Sequence, residues 1–156
     1  MYSKDEAKHL KQEFWEGFDR FTKFYSKKIG VPIQWIFYKT GIKGLELKFT
    51  VSKKLIQVIL EVNAKSENRR FEIYYELNKY KNLIENEFIE GLIWEDDFIK
   101  EEKVVVSRAF IENDAYNFHN RDHWSDIYKF MVVNMYQLQS NIEEILPILK
   151  ENLSNE

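Results

Sequence analysis

The 156-residue chain contains no cysteine, and only two prolines and five glycines punctuate it. Without thiols there can be no disulfide, zinc ribbon, iron–sulfur centre or thiol catalysis. So few glycines and prolines exclude collagen-like, linker-like and loop-dominated chains. No apolar run approaches the roughly 20 residues that a membrane-spanning helix needs. Met1 to Lys11 is charged where a signal peptide is apolar. No membrane contact and a cytoplasmic location are therefore expected. What is present favours a packed core: 44% of residues are hydrophobic, with 12 Phe, 9 Tyr and 4 Trp. A chain of this length and content buries a core without staples, and residues 1–156 read as a single domain.

The net charge of −3 conceals a segregation. Between residues 20 and 54, Arg20, Lys23, Lys27, Lys28, Lys39, Lys43, Lys48, Lys53 and Lys54 are opposed by Glu46 alone, a balance of +8. Residues 1–19 carry −2 and residues 55–156 carry −9. Charge blocks of this kind bear on partners rather than on fold.

Periodicity supplies the fold class. Ser3 followed by Glu6 is a capping box, and Leu10, Phe14, Phe18, Phe21 and Tyr25 then form one helical stripe. Trp15 and Phe24 widen the stripe, and Gly30 with Pro32 ends it. The period then drops to two. Ile33 to Lys39 reads as a strand with Ile33, Trp35 and Phe37 on one face. After a turn at Thr40–Gly44, Leu45, Leu47, Phe49 and Val51 alternate with polar residues, and Leu55 to Val62 reads as a central strand. Short links make these three an antiparallel meander. Ser66 to Glu90 reads as a long helix, although Phe71, Ile73, Tyr75 and Leu77 also fit a strand. Leu92–Glu95 and Val104–Glu112 are two further strands joined by Lys100–Lys103. Asp122 is expected to cap a last helix whose stripe runs from Trp124 to Ile142, Pro147 to interrupt or end it, and Asn152–Glu156 to fray. The order α-β-β-β-α-β-β-α defines an α+β domain, a mostly antiparallel sheet packed by helices.

Four groups of residues have chemical potential. His119 and His123 stand four apart with Asp126 three further on, a spacing that on one helix would gather ligands for zinc or iron. An N-cap at Asp122 would instead leave His119 outside the helix and spoil that spacing. Glu46 and Lys48 on one strand, with Glu61 and Lys65 around the next, approximate the acid and E-x-K pattern of a PD-(D/E)XK nuclease, in which carboxylates hold Mg²⁺. Here the third position is Asn63 rather than Lys, and Ile33–Lys39 offers no acid. Glu61 discriminates: an open cavity shared with Glu46 favours the nuclease, whereas pairing with a basic residue in a packed core opposes it. Ser107 and Arg108 with Glu85 and Glu95 suggest a buried polar cluster. Finally, Lys39, Lys43, Lys48, Lys53 and Lys54, with Tyr38, would line a strip about 20 Å long across a strand and its two turns, suited to nucleic-acid phosphates.

Several stretches carry a resemblance. They are Phe14-Trp15-x-x-Phe18, Leu60-Glu61-Val62, Tyr75-x-Leu77, Ile84-Glu85-x-x-Phe88-x-x-x-Leu92-x-Trp94-Glu95, Ser107-Arg108, and Trp124 with Met131, Met135 and Leu138. Together they resemble a prokaryotic domain family of unknown function, number four-two-six-eight in its series, over roughly residues 8–150. Such domains stand alone or are appended to restriction-nuclease-like domains. The resemblance implies DNA-linked or defence-related work and no agreed catalytic residues. Where typical members have Gly after the Phe of the long stretch, this chain has Ile89, with Gly91 two further on.

The expected function is a binding or accessory module, more readily non-enzymatic than catalytic, acting with nucleic acid or a nuclease-like protein. It needs no cofactor. The alternatives are a divergent Mg²⁺-dependent nuclease and a structural domain that pairs with a second copy through aromatic surface.

Overall fold

A computed structural model describes residues 2–30 and 39–154. Helix α1, Lys4–Ile29, begins where the Ser3 hydroxyl accepts the Glu6 N–H and ends at Gly30, whose φ of 72° returns its N–H to the Ser26 carbonyl. Leu10, Phe14 and Phe18 are buried, and Phe21 and Tyr25 are half-buried along the expected stripe. Trp15 and Phe24, expected to widen it, remain exposed.

Strands β1, Leu45–Val51, and β2, Ile56–Val62, form a hairpin, as the short link between them predicts. β3, Ile93–Ile99, and β4, Val105–Asn113, form a second. The sheet order is β1-β2-β4-β3, and every pair is antiparallel. β2 is central and buried at all seven positions. The strand expected over Ile33–Lys39 falls on residues 31–38, with Trp35, Phe37 and Tyr38, outside the described residues; Lys39 itself belongs to no strand. The described part of the expected meander is thus the β1–β2 hairpin, and β2 takes β4 as its second neighbour.

Between the hairpins lie α2, Glu67–Lys79, and the short α3, Lys81–Ile84. Helix wins over strand here: Ile73 and Leu77, four apart, are buried, while Phe71 and Tyr75 are exposed. The expected single helix to Glu90 is corrected. It breaks at Tyr80, and residues 85–91 turn, with Glu87 at φ 70°. The cause is tertiary. The Asn141 side-chain amide donates to the carbonyls of Ile84 (2.9 Å) and Asn86 (2.8 Å), which a continuing helix would have paired internally.

Helix α4, Trp124–Leu153, follows a 3-10 turn at Arg121–His123. Asp122 is not its cap. Asn120 caps the 3-10 turn, accepting the Asp122 N–H, and α4 simply continues from it. Nor does Pro147 end the helix. It lies on the exposed side, with Leu146 buried before it and Leu149 and Leu153 buried beyond it. The expected fraying from Asn152 is corrected: α4 holds to Leu153, where Asn152 donates to Glu76 and Arg69 donates to the Leu153 carbonyl.

One hydrophobic cluster joins Leu45, Val58, Leu60 and Val62 of the sheet to Ile73 and Leu77 of α2 and Leu138 and Ile142 of α4. A second joins Leu10, Phe14 and Phe18 of α1 to Ile127, Tyr128 and Met131 of α4. Side chains alternate across a strand. The helices therefore cover one face of the sheet, and Glu46, Lys48, Gln57, Glu61, Arg108 and Glu95 project from the other.

Candidate functional site

On that second face, one charged residue from each strand falls in register: Glu46 opposite Glu61, Glu61 opposite Arg108, Arg108 opposite Glu95. Glu61, on the central strand, has a side chain only 4% exposed. Its Oε2 accepts from Lys48 Nζ at 2.6 Å and Asn63 Nδ2 at 2.8 Å, and its Oε1 accepts from Lys100 Nζ at 2.8 Å. Burial alone would raise the Glu61 pKa. The bonds from Lys100, Lys48 and Asn63 outweigh it and hold the carboxyl below its ordinary range. Desolvation likewise opposes the Lys48 charge, but its bonds to Glu61 and to Glu46 (3.1 Å) raise its pKa. Arg108 bonds Glu95 at 2.9 Å, with its guanidinium 3.5 Å above the Phe98 ring and 4.3 Å from that of Phe110.

Glu61 thus lies beside Glu46, as a nuclease would require, yet it is also buried and paired with two lysines. A Mg²⁺ ion at this carboxylate would have to displace both ammonium groups. Among the described residues no group of three His, Asp or Glu is placed to hold a metal ion. Lys65 lies exposed in the β2–α2 connection and makes no ion pair among the described residues. The histidines are separated. His119 precedes the 3-10 turn and packs against Tyr2 and Phe118, with ring centroids 5.0 and 5.6 Å away. His123 Nδ1 accepts the Asn117 N–H at 2.9 Å. Asp126 is exposed in the first turn of α4.

The expected polar cluster splits in two. Arg108 and Glu95 pair on the face away from the helices, whereas Ser107 faces the helices and meets Arg70, which the sequence reading missed. Arg70 is buried; its Nη1 donates to Ser107 Oγ (2.7 Å) and to the Asp96 carbonyl (2.8 Å), and its Nη2 reaches Asp97 (3.0 Å). These contacts fasten α2 to the irregularity in β3 between Glu95 and Phe98. The signal was an arginine at the buried spacing of Ile73 and Leu77. Glu85 instead accepts from the Leu92 N–H (2.7 Å) and the Trp94 indole (3.0 Å), closing the turn into β3. The Ile84-Glu85…Trp94-Glu95 stretch is therefore occupied in building the fold.

The turn lysines differ from Lys48. Lys39 and Lys43 precede β1, Lys53 and Lys54 follow it, and all four are exposed without an ion pair among the described residues. Gly44, at φ 91°, lets the first turn lie against β2: a Cβ there would come within 2.9 Å of that of Ala64. Lys48, between the turns, is turned inward by Glu61, so the expected strip is basic at its ends and neutralised in its middle. Tyr38 lies outside the described residues.

Fold and site together define a two-layer α+β domain with helices on one face of an antiparallel sheet and an ion-paired row on the other. The chain belongs to the family described as Domain of unknown function (DUF4268), whose model matches residues 10–146. No curated protein and no solved structure matches it. No described helix is long and apolar enough to cross a membrane.

Proposed function

We propose that this domain is a binding module that engages nucleic-acid phosphates through Lys39, Lys43, Lys53 and Lys54. The observation that carries the reading is the pairing pattern. In the chain's only strongly basic segment, these four lysines are exposed and uncommitted, whereas Lys48 is held by Glu61 and Glu46. The seven-residue strand between the two lysine pairs is about 20 Å long. That spacing suits several phosphates along a backbone and carries no base readout. The nuclease alternative gains no support from Glu61, whose oxygens already have three donors.

The test is fluorescence anisotropy with a labelled duplex and a labelled single strand across salt concentrations. Four phosphate contacts give a logarithmic salt slope of about −3.6 on duplex DNA. The double substitution Lys53→Glu with Lys54→Glu is expected to weaken binding to every sequence alike and to flatten the slope. Absence of binding at low salt, or an unchanged slope in the double variant, overturns the reading.

A further inference from the structure

A cleft of about 450 Å³ opens between α1 and the start of α4. Its floor is made by an absence. Gly17 has no Cβ, and one placed there would stand 2.3 Å from the Tyr128 hydroxyl. Tyr128 can therefore cross α1 and donate to the Phe14 carbonyl at 2.6 Å, and burial pushes its pKa up to about 12. A mid-helix glycine is a poorer helix former than alanine, so this close crossing of α1 and α4 depends on a residue that weakens α1. The walls are aromatic, with Phe21 and Phe24 from α1 facing Trp124 and Tyr128 from α4. Phe24 is 66% exposed, so one face of its ring is open to a ligand.

The polar groups at the rim favour an anion. Arg20 lines the cleft and forms neither an ion pair nor a hydrogen bond among the described residues, and Ser125 brings a hydroxyl to the opposite wall. Of the three acids nearby, Glu13 bonds Arg121 at 2.8 Å and Asp19 bonds Lys23 at 2.9 Å, while Glu16, four residues before Arg20, accepts from the Gln12 amide at 3.1 Å. An uncommitted guanidinium beside an exposed ring matches a planar aromatic anion, since the ring stacks while the guanidinium takes the charge.

We propose that this cleft binds a nucleotide unit, an aromatic heterocycle bearing a phosphate, with the base against Phe24 and the phosphate on Arg20 and Ser125. The unit is either a free mononucleotide or one nucleotide of a single strand. The cleft is independent of the β1 lysines, so the two readings fail separately.

The experiment titrates the full chain, ¹⁵N-labelled, with adenosine monophosphate, adenosine, inorganic phosphate and a short adenylate single strand. The amide signals of Gly17 and Ser125 report on the cleft. Saturable shifts of both are expected with the monophosphate, and adenosine or phosphate alone should bind about tenfold more weakly. Arg20→Gln and Phe24→Ala should each weaken binding about tenfold. Both residues are exposed, so an unchanged spectrum elsewhere verifies folding. A strand that outcompetes the monophosphate identifies the unit as part of a nucleic acid. Equal affinity identifies a free nucleotide. The proposal is overturned if neither the monophosphate nor the strand moves Gly17 and Ser125 at concentrations up to about 5 mM, if phosphate alone reproduces the shifts, or if both variants bind unchanged.

Discussion

Glu61 is the residue on which the ion-paired row of the sheet depends. A carboxylate on the central strand is tolerated because Lys48, Lys100 and Asn63 supply donors to both of its oxygens. Glu61→Gln keeps the shape and removes the charge, leaving Lys48 half-buried with only Glu46 opposite; a loss of about 2 kcal/mol at neutral pH is expected. The pH dependence follows from the depressed pKa. A carboxyl held below its ordinary 4.5 contributes stability that is fully present above that value and is lost as pH falls through the folded-state pKa. Urea denaturation should therefore separate wild type from Glu61→Gln at neutral pH and show the gap closing in acid. A gap that stays constant with pH would show that another group holds the row together.

At the scale of elements, the most informative feature is the break between α3 and β3. Asn141, buried on α4, donates to two carbonyls of the 84–86 turn while its own oxygen accepts from Gln137 at 2.9 Å. Asn141→Ala leaves those carbonyls without their partner and is expected to cost about 2 kcal/mol. The loss should be local as well as global. Amide hydrogen exchange should quicken most at Phe88, Gly91 and Leu92, whose N–H groups are bonded within that turn. Uniform acceleration across the sheet would show that Asn141 merely fills space. Tyr80, Ile84 and Phe88 stand four apart and so fit an unbroken helix, yet a turn that tucks inward buries Ile84 and Phe88 as well as a helix would.

For the whole molecule, the two hydrophobic clusters matter most. Phe49 and Phe130 pack against both, and Phe49 meets Phe18 edge-on at 5.2 Å, joining α1 to the sheet. Unfolding is therefore expected as one cooperative transition, with far-ultraviolet circular dichroism and tryptophan fluorescence giving superimposable urea curves. Separate midpoints would show that the α1 side melts independently of the sheet.

The sequence by itself determined what depends on local pattern. The α1 stripe and its cap, the alternation of β1, the buried run of β2, the β3–β4 hairpin and the family resemblance all lie within short windows where side-chain period and turn chemistry decide the outcome. The basic segment was legible too, since charge is additive along a chain. Tertiary structure decided the rest, because it depends on residues distant in sequence. Pairing of β2 with β4 set Glu61 beside Arg108, and the β3–β4 turn brought in Lys100. Asn141 ended a helix 57 residues away, and packing carried α4 past Pro147. Helix crossing at Gly17 made the cleft. Which lysines are engaged and which are free follows from those long-range partners: an ammonium group is neutralised by whatever carboxylate the fold brings to it, and a one-dimensional pattern does not contain that distance.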